Sequence, residues 1–114
     1  MDYQELVDTR RRESSTQNLT QLSPTFYTDA KKYLEELLLD APVSDPTASE
    51  WKLYQNARYV LIQIFKYRCT KISQQTISLM DTEFEIRTSN MLSIEEELST
   101  KLNQIISDGM KGVI

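Results

Sequence analysis

No histidine occurs among the 114 residues, and cysteine occurs once. Without histidine there is no Ser-His or Cys-His pair for nucleophilic catalysis. A single cysteine builds neither an internal disulfide nor a structural zinc site. Glycine is nearly absent: Gly109 and Gly112 are the only two, too few for a phosphate-cradling loop. Apolar runs stay far below the 18 residues of a membrane span, and the charged N-terminus lacks the apolar stretch of a signal peptide. These absences leave a soluble, intracellular chain that is no enzyme, with no metal or other cofactor. Cys69 then reads as a small buried hydrophobe.

What is present is ordinary for one domain: 39% apolar and 26% charged residues. The net charge of −4 argues against a chain built mainly to grip phosphates. Its distribution says more. Residues 1–46 hold nine acids and five bases, 47–80 one acid and five bases, and 81–114 seven acids and three bases. A basic central segment between acidic flanks predicts complementarity within or between chains. The other reading is a nucleic-acid track along Lys52, Lys66 and Lys71, for which the bases are few; direct DNA binding is expected to be weak or nil.

Proline occurs only at 24, 42 and 46, and divides the chain. Asp2, with Glu5 three residues on, predicts the start of a helix running to Glu13, with Tyr3, Leu6, Val7 and Arg10 on its buried face. Ser23-Pro24 reads as N-cap and first residue of a second helix to Asp40, with Phe26, Tyr27, Ala30, Leu34, Leu37 and Leu38 inward. Phe26 and Tyr27 fit a packed core better than a stacking platform. Thr47 with Glu50 forms a capping box for a helix to Met80, with continuation through Phe84 and Ile86 to Thr88 as an option. Ser93 with Glu96 opens a last helix to Ser107. The adjacent Glu95, Glu96 and Glu97 point about 100° apart, so they cannot converge on one ion and read as a solvated face. The two late glycines read as the start of a linker over 109–114.

The helix over 47–80 organises the rest. On a helical wheel Trp51, Tyr54, Ala57, Ile64, Phe65, Cys69, Ile72 and Leu79 gather around Leu61, in an apolar sector of roughly 200° against the ~100° of an ordinary surface helix. Such a helix needs cover on two sides, one of them from a partner chain, and it is too long for two short neighbours. Arg58 and Arg68 project into the sector, where an unpaired charge is costly. Glu13 falls on the buried face of the first helix and is the candidate partner for either arginine; otherwise it is a solvated residue at a frayed end. The expected architecture is all-α, four helices with the third at the centre.

The pattern Arg58-Tyr-x-Leu61, six residues, Arg68-x-x-Lys71-Ile72 resembles the helical A-domain of the GINS replication-factor family, in the subunit class where that domain comes first. The order Arg10-Arg11-Arg12-Glu13, Leu19, Leu22, Pro24, Phe26-Tyr27, Tyr33 and Leu34 is similar to the opening of archaeal members. The segment from Asp81 to Asn90 departs from the family, which more often has small and basic residues there. The resemblance implies a four-helix bundle-like A-domain over 1–108, followed in the family by a β-rich B-domain to which nothing here corresponds. It also implies a non-catalytic scaffold that assembles with GINS subunits into a homo- or hetero-tetramer and links the MCM replicative helicase to a Cdc45 or RecJ-like partner. Its place would be the nucleoid-associated cytoplasm of an archaeon or the nucleus of a eukaryote. The reading from pattern alone is a helical oligomerisation or adaptor module unrelated to replication.

Overall fold

The computed structural model describes residues 1–80, 82 and 88–113. They form four helices, α1 (Tyr3–Ser15), α2 (Phe26–Asp40), α3 (Ser49–Leu79) and α4 (Ser93–Lys111), with no strand among the described residues. The fold is all-α. Helix α3 is the common support on which α1, α2 and α4 each pack. Its 31 residues give a rod of ~47 Å at 1.5 Å per residue, and the molecule measures 59 × 27 × 21 Å. The continuation considered through Phe84 and Ile86 lies outside the described residues.

Helix α1 starts where expected: Asp2 Oδ1 accepts the Glu5 N–H at 2.9 Å. It ends two residues late, at a Ser-Ser-Thr run whose hydroxyls donate back to the carbonyls of Arg11 and Arg12. Helix α2 begins at Phe26 because Ser23-Pro24-Thr25 forms a turn instead, with the Phe26 N–H donating to Ser23 O at 2.9 Å. Pro42 holds Ala41 extended and stops the helix. The expected Thr47–Glu50 box is replaced, since the Thr47 hydroxyl donates to Asp45 at 2.7 Å and Ala48 becomes the N-cap of α3. At α4 the Ser93–Glu96 box is displaced by one residue. Leu92 is the N-cap, its side chain offers no acceptor, and its N–H donates to Glu95 Oε1 at 2.9 Å. The chain does not break at Gly109, which sits inside α4; the ~1 kcal/mol that glycine costs a helix does not end one without a proline.

The buried positions of α3 are Ala57, Val60, Ile64, Arg68, Ile72 and Thr76. A four-residue step turns 400°, so the stripe advances by about 40° at each step and winds roughly 160° around the rod between Val60 and Thr76. The apparent 200° sector is therefore largely a narrower stripe that spirals. Its N-terminal part meets Leu6 of α1 with Phe26 and Ala30 of α2 in the main core; its C-terminal part meets α4, where Thr76 and Ser99 share a buried hydrogen bond of 3.2 Å. Each fully buried aliphatic such as Leu6 or Ile64 contributes about 1.5 to 3 kcal/mol.

The spiral also explains three corrections. Arg58 sits on the side the stripe has not yet reached, and it is exposed rather than inward. Phe65 is 37% exposed, and Leu61 is half-buried, packed against the core rather than at its centre. On α2, Leu38 is exposed too, in the last turn, while Leu37 beside it packs against the core.

Candidate functional site

Arg68 is fully buried, and each of its five N–H donors has an acceptor. Nε and Nη2 grip Glu95 as a fork, to Oε2 at 2.7 Å and Oε1 at 2.8 Å. Nη1 donates to Glu13 Oε1 at 2.7 Å and to Thr20 O at 2.9 Å, and the second Nη2 hydrogen goes to Asn90 O at 2.6 Å. Both glutamates are fully buried as well. Glu13 further accepts from the Thr20 hydroxyl at 2.6 Å and from Lys71 Nζ. Glu95 accepts the Tyr27 hydroxyl at 2.6 Å.

Lys71 closes the outer side, donating also to Glu13 O at 2.6 Å and Asn18 O at 3.0 Å. Asn90 adopts φ 68°, a left-handed conformation that asparagine tolerates better than most residues. Its carbonyl meets Arg68 while its side-chain amide donates to Leu19 O at 3.1 Å. One guanidinium thus joins the end of α1, the connector after it, the turn before α4 and the first turn of α4 to α3. Tyr27 adds α2. No buried side-chain nitrogen or oxygen among the described residues lacks a partner.

The two cations and two anions balance, and each stabilises the other's charged state. Burial alone would raise the pKa of Glu13 and Glu95. Hydrogen bonds from Lys71, Thr20 and Arg68 outweigh it for Glu13, and those from Arg68, Leu92 and Tyr27 for Glu95, so both lie below the usual carboxylate range. Burial and the hydrogen bond to Glu95 push the Tyr27 hydroxyl up. Burial and the nearby Glu95 carboxylate raise the Cys69 thiol, away from a reactive thiolate. These shifts keep both carboxylates ionised and the Tyr27 hydroxyl protonated.

Of the residues singled out from the sequence, Glu13, Tyr27, Arg68 and Lys71 come together here. Lys71 therefore leaves the lysine track, its ammonium turned inward while Lys52 and Lys66 are exposed. Phe26 and Ile72 are core, Tyr54 is half-buried, and Phe65 stacks edge-on against Tyr27 with centroids 5.8 Å apart. Arg58 takes no part. Three members were missed: Thr20, Asn90 and Glu95. Adjacency to Glu96 and Glu97, which are exposed, suggests a solvated face for Glu95, yet it is in phase with Leu98, Ser99 and Leu102 at the i, i+3, i+4, i+7 spacing. That phase was the available signal.

Tyr27 gives a graded test of the network. Tyr27→Phe keeps the ring contacts with Phe26 and Phe65 and leaves Glu95 its arginine fork and the Leu92 N–H. The loss of one hydrogen bond to a charged acceptor should cost about 1.5 to 3 kcal/mol. It should be read as a lower urea midpoint at unchanged slope. Equal midpoints for variant and parent would show that the hydroxyl contributes nothing.

Among the described residues no group of acids and cysteine is placed to hold a metal ion, and no helix is long and apolar enough to cross a membrane. Compared with protein-family models, curated proteins and solved structures, the chain matches none.

Proposed function

We propose that this chain is a non-catalytic scaffold subunit of a GINS-type complex in DNA replication, linking the MCM helicase to a Cdc45 or RecJ-like partner. The observation that supports the reading is where the resembling segments go in space. Glu13 of the Arg-Arg-Arg-Glu run, Tyr27 of the Phe-Tyr pair, and Arg68 and Lys71 of the Arg-x-x-Lys-Ile stretch are scattered along the sequence, yet they form one hydrogen-bonded cluster. An ordered series of residues has a shared physical reason when its members hold one another.

Function then follows from rigidity and surface rather than chemistry. The cluster holds the ends of the helices on α3, while apolar side chains remain exposed beyond the core: Leu38 and Leu39 in the last turn of α2 and Val43 after it, Tyr59 and Ile77 on α3, Ile94 and Ile105 on α4. Several are large side chains whose cover would come from sister subunits. Static light scattering at micromolar concentration should therefore give a dimer or tetramer of the 13.3 kDa chain, and mixing with purified MCM and a RecJ-like or Cdc45 protein should give a co-eluting complex. Self-association without either replication protein would leave the helical oligomerisation module as the reading. A monomer that binds neither would remove both.

A further inference from the structure

Alongside the cluster, α1 and α3 enclose a second feature that the architecture does not use. It is a hollow of about 290 Å³ lined by Val7, Arg10, Arg11, Ser14, Gln63 and Tyr67. Arg10 Nη1 donates to Gln63 Oε1 at 2.6 Å, and Gln63 Nε2 donates to the Tyr59 hydroxyl at 3.1 Å. The amide fixes the guanidinium without neutralising it, and Arg10 has no carboxylate partner among the described residues. Arg11 is 71% exposed and meets Asp8 only at 3.5 Å, a long surface pair that solvent screens. Lys66, also exposed, precedes Tyr67 on α3.

We propose that this hollow docks a short acidic segment of a partner protein, a carboxylate seated between Arg10 and Arg11 and a neighbouring apolar side chain laid on Val7 and Tyr67. Charge complementarity selects the occupant. In a chain of net charge −4, this hollow is lined by two guanidiniums and no carboxylate, and the nearby Asp8 is already engaged, accepting from Gln4 at 2.9 Å. Guanidinium planes bind carboxylates through paired hydrogen bonds. A phosphodiester backbone would need a longer run of cations to follow it, and beyond Arg10 and Arg11 the hollow offers only neutral groups. Tyr59 and Tyr67, 59% and 38% exposed, add the amphipathic contact area that interfaces favour. The inference rests on this chain's own surface and stands apart from the assembly proposed above, which is tested with different proteins.

The test is fluorescence anisotropy of the intact chain with a labelled peptide alternating aspartate with leucine and phenylalanine. Controls are the same peptide with asparagine for aspartate, and an oligothymidylate. The acidic peptide should bind at least about tenfold tighter than its amide counterpart at about 50 mM salt and weaken as salt rises. Arg11→Gln, on a side chain too exposed to endanger the fold, should weaken it several-fold, and Arg10→Gln with Arg11→Gln by about tenfold or more. Arg12→Gln, which faces a different hollow with Glu5 and Asp29, should change nothing. Equal binding of acidic and amide peptides, indifference to both arginines, or tighter binding of the oligothymidylate would each overturn the proposal.

Discussion

Arg68→Ala should destabilise the fold by at least about 3 to 5 kcal/mol, the cost of breaking a buried ion pair by removing one partner. The argument is one of what is left behind. Glu13 and Glu95 are fully buried, and Glu95 would lose its only cation among the described residues while keeping the Tyr27 and Leu92 donors. Glu13 would keep Lys71 and Thr20. The carbonyls of Thr20 and Asn90 would lose a donor each, and the vacated guanidinium would leave a cavity among them.

A domain of this size is typically stable by only about 5 to 15 kcal/mol in all, so the loss removes a substantial fraction of the whole. Lys66→Ala and Arg58→Ala, both on exposed positions of the same helix, should each cost well under about 1 kcal/mol. A fourfold variant, Arg68→Met with Lys71→Met, Glu13→Gln and Glu95→Gln, should recover much of the loss, because apolar or neutral replacement of a whole ionic cluster removes the desolvation cost along with the attraction. Thermal melts of the set decide the matter. An Arg68→Ala protein that melts with the parent would mean that the cluster contributes nothing to stability.

The contrast between the two arginines shows what the sequence could convey. Helix periodicity, the proline boundaries and the Asp2 cap made the all-α fold and its central helix legible, since these are local properties of three or four residues. A wheel drawn at fixed phase also found Arg68 and its partner Glu13. It placed Arg58 beside Arg68 because it could not represent a stripe that turns by about 40° for every four residues. The phase of that stripe is set by where α1, α2 and α4 land, which is tertiary information. Thr20 and Asn90 meet Arg68 through backbone carbonyls, which every residue has, and their side chains act only on groups that the fold brings to them, Glu13 and Leu19 O, so no local pattern marks them. Glu95 was legible by phase and was outvoted by its two solvated neighbours.

Acid should unfold the protein steeply, and through the same cluster. Glu13 and Glu95 have folded-state pKa values below the usual 4.5 because Lys71, Thr20, Arg68, Leu92 and Tyr27 donate to their ionised forms. The unfolded chain therefore takes up these two protons at higher pH than the folded chain does. Their contribution is fully present above about pH 4.5 and declines as the pH falls through the folded values. While both sites titrate, stability should fall by up to ~2.7 kcal/mol per pH unit, twice the single-proton slope of ~1.4. The two carboxylates share one guanidinium, so the protons go on in coupled steps that belong to the pair rather than to either residue. Glu95→Gln should start from a lower plateau and reduce the acid slope to about that of one proton. The Asp45 carboxyl is also lowered, by hydrogen bonds from Thr47, but it is exposed in the loop before α3 and away from the cluster. Asp45→Asn should leave the steep limb in place. Urea unfolding at a series of pH values between about 2 and 7 measures these slopes directly. If Glu95→Gln loses stability with acid as steeply as the parent, the protons are being taken up elsewhere and the cluster does not set the acid limit of the fold.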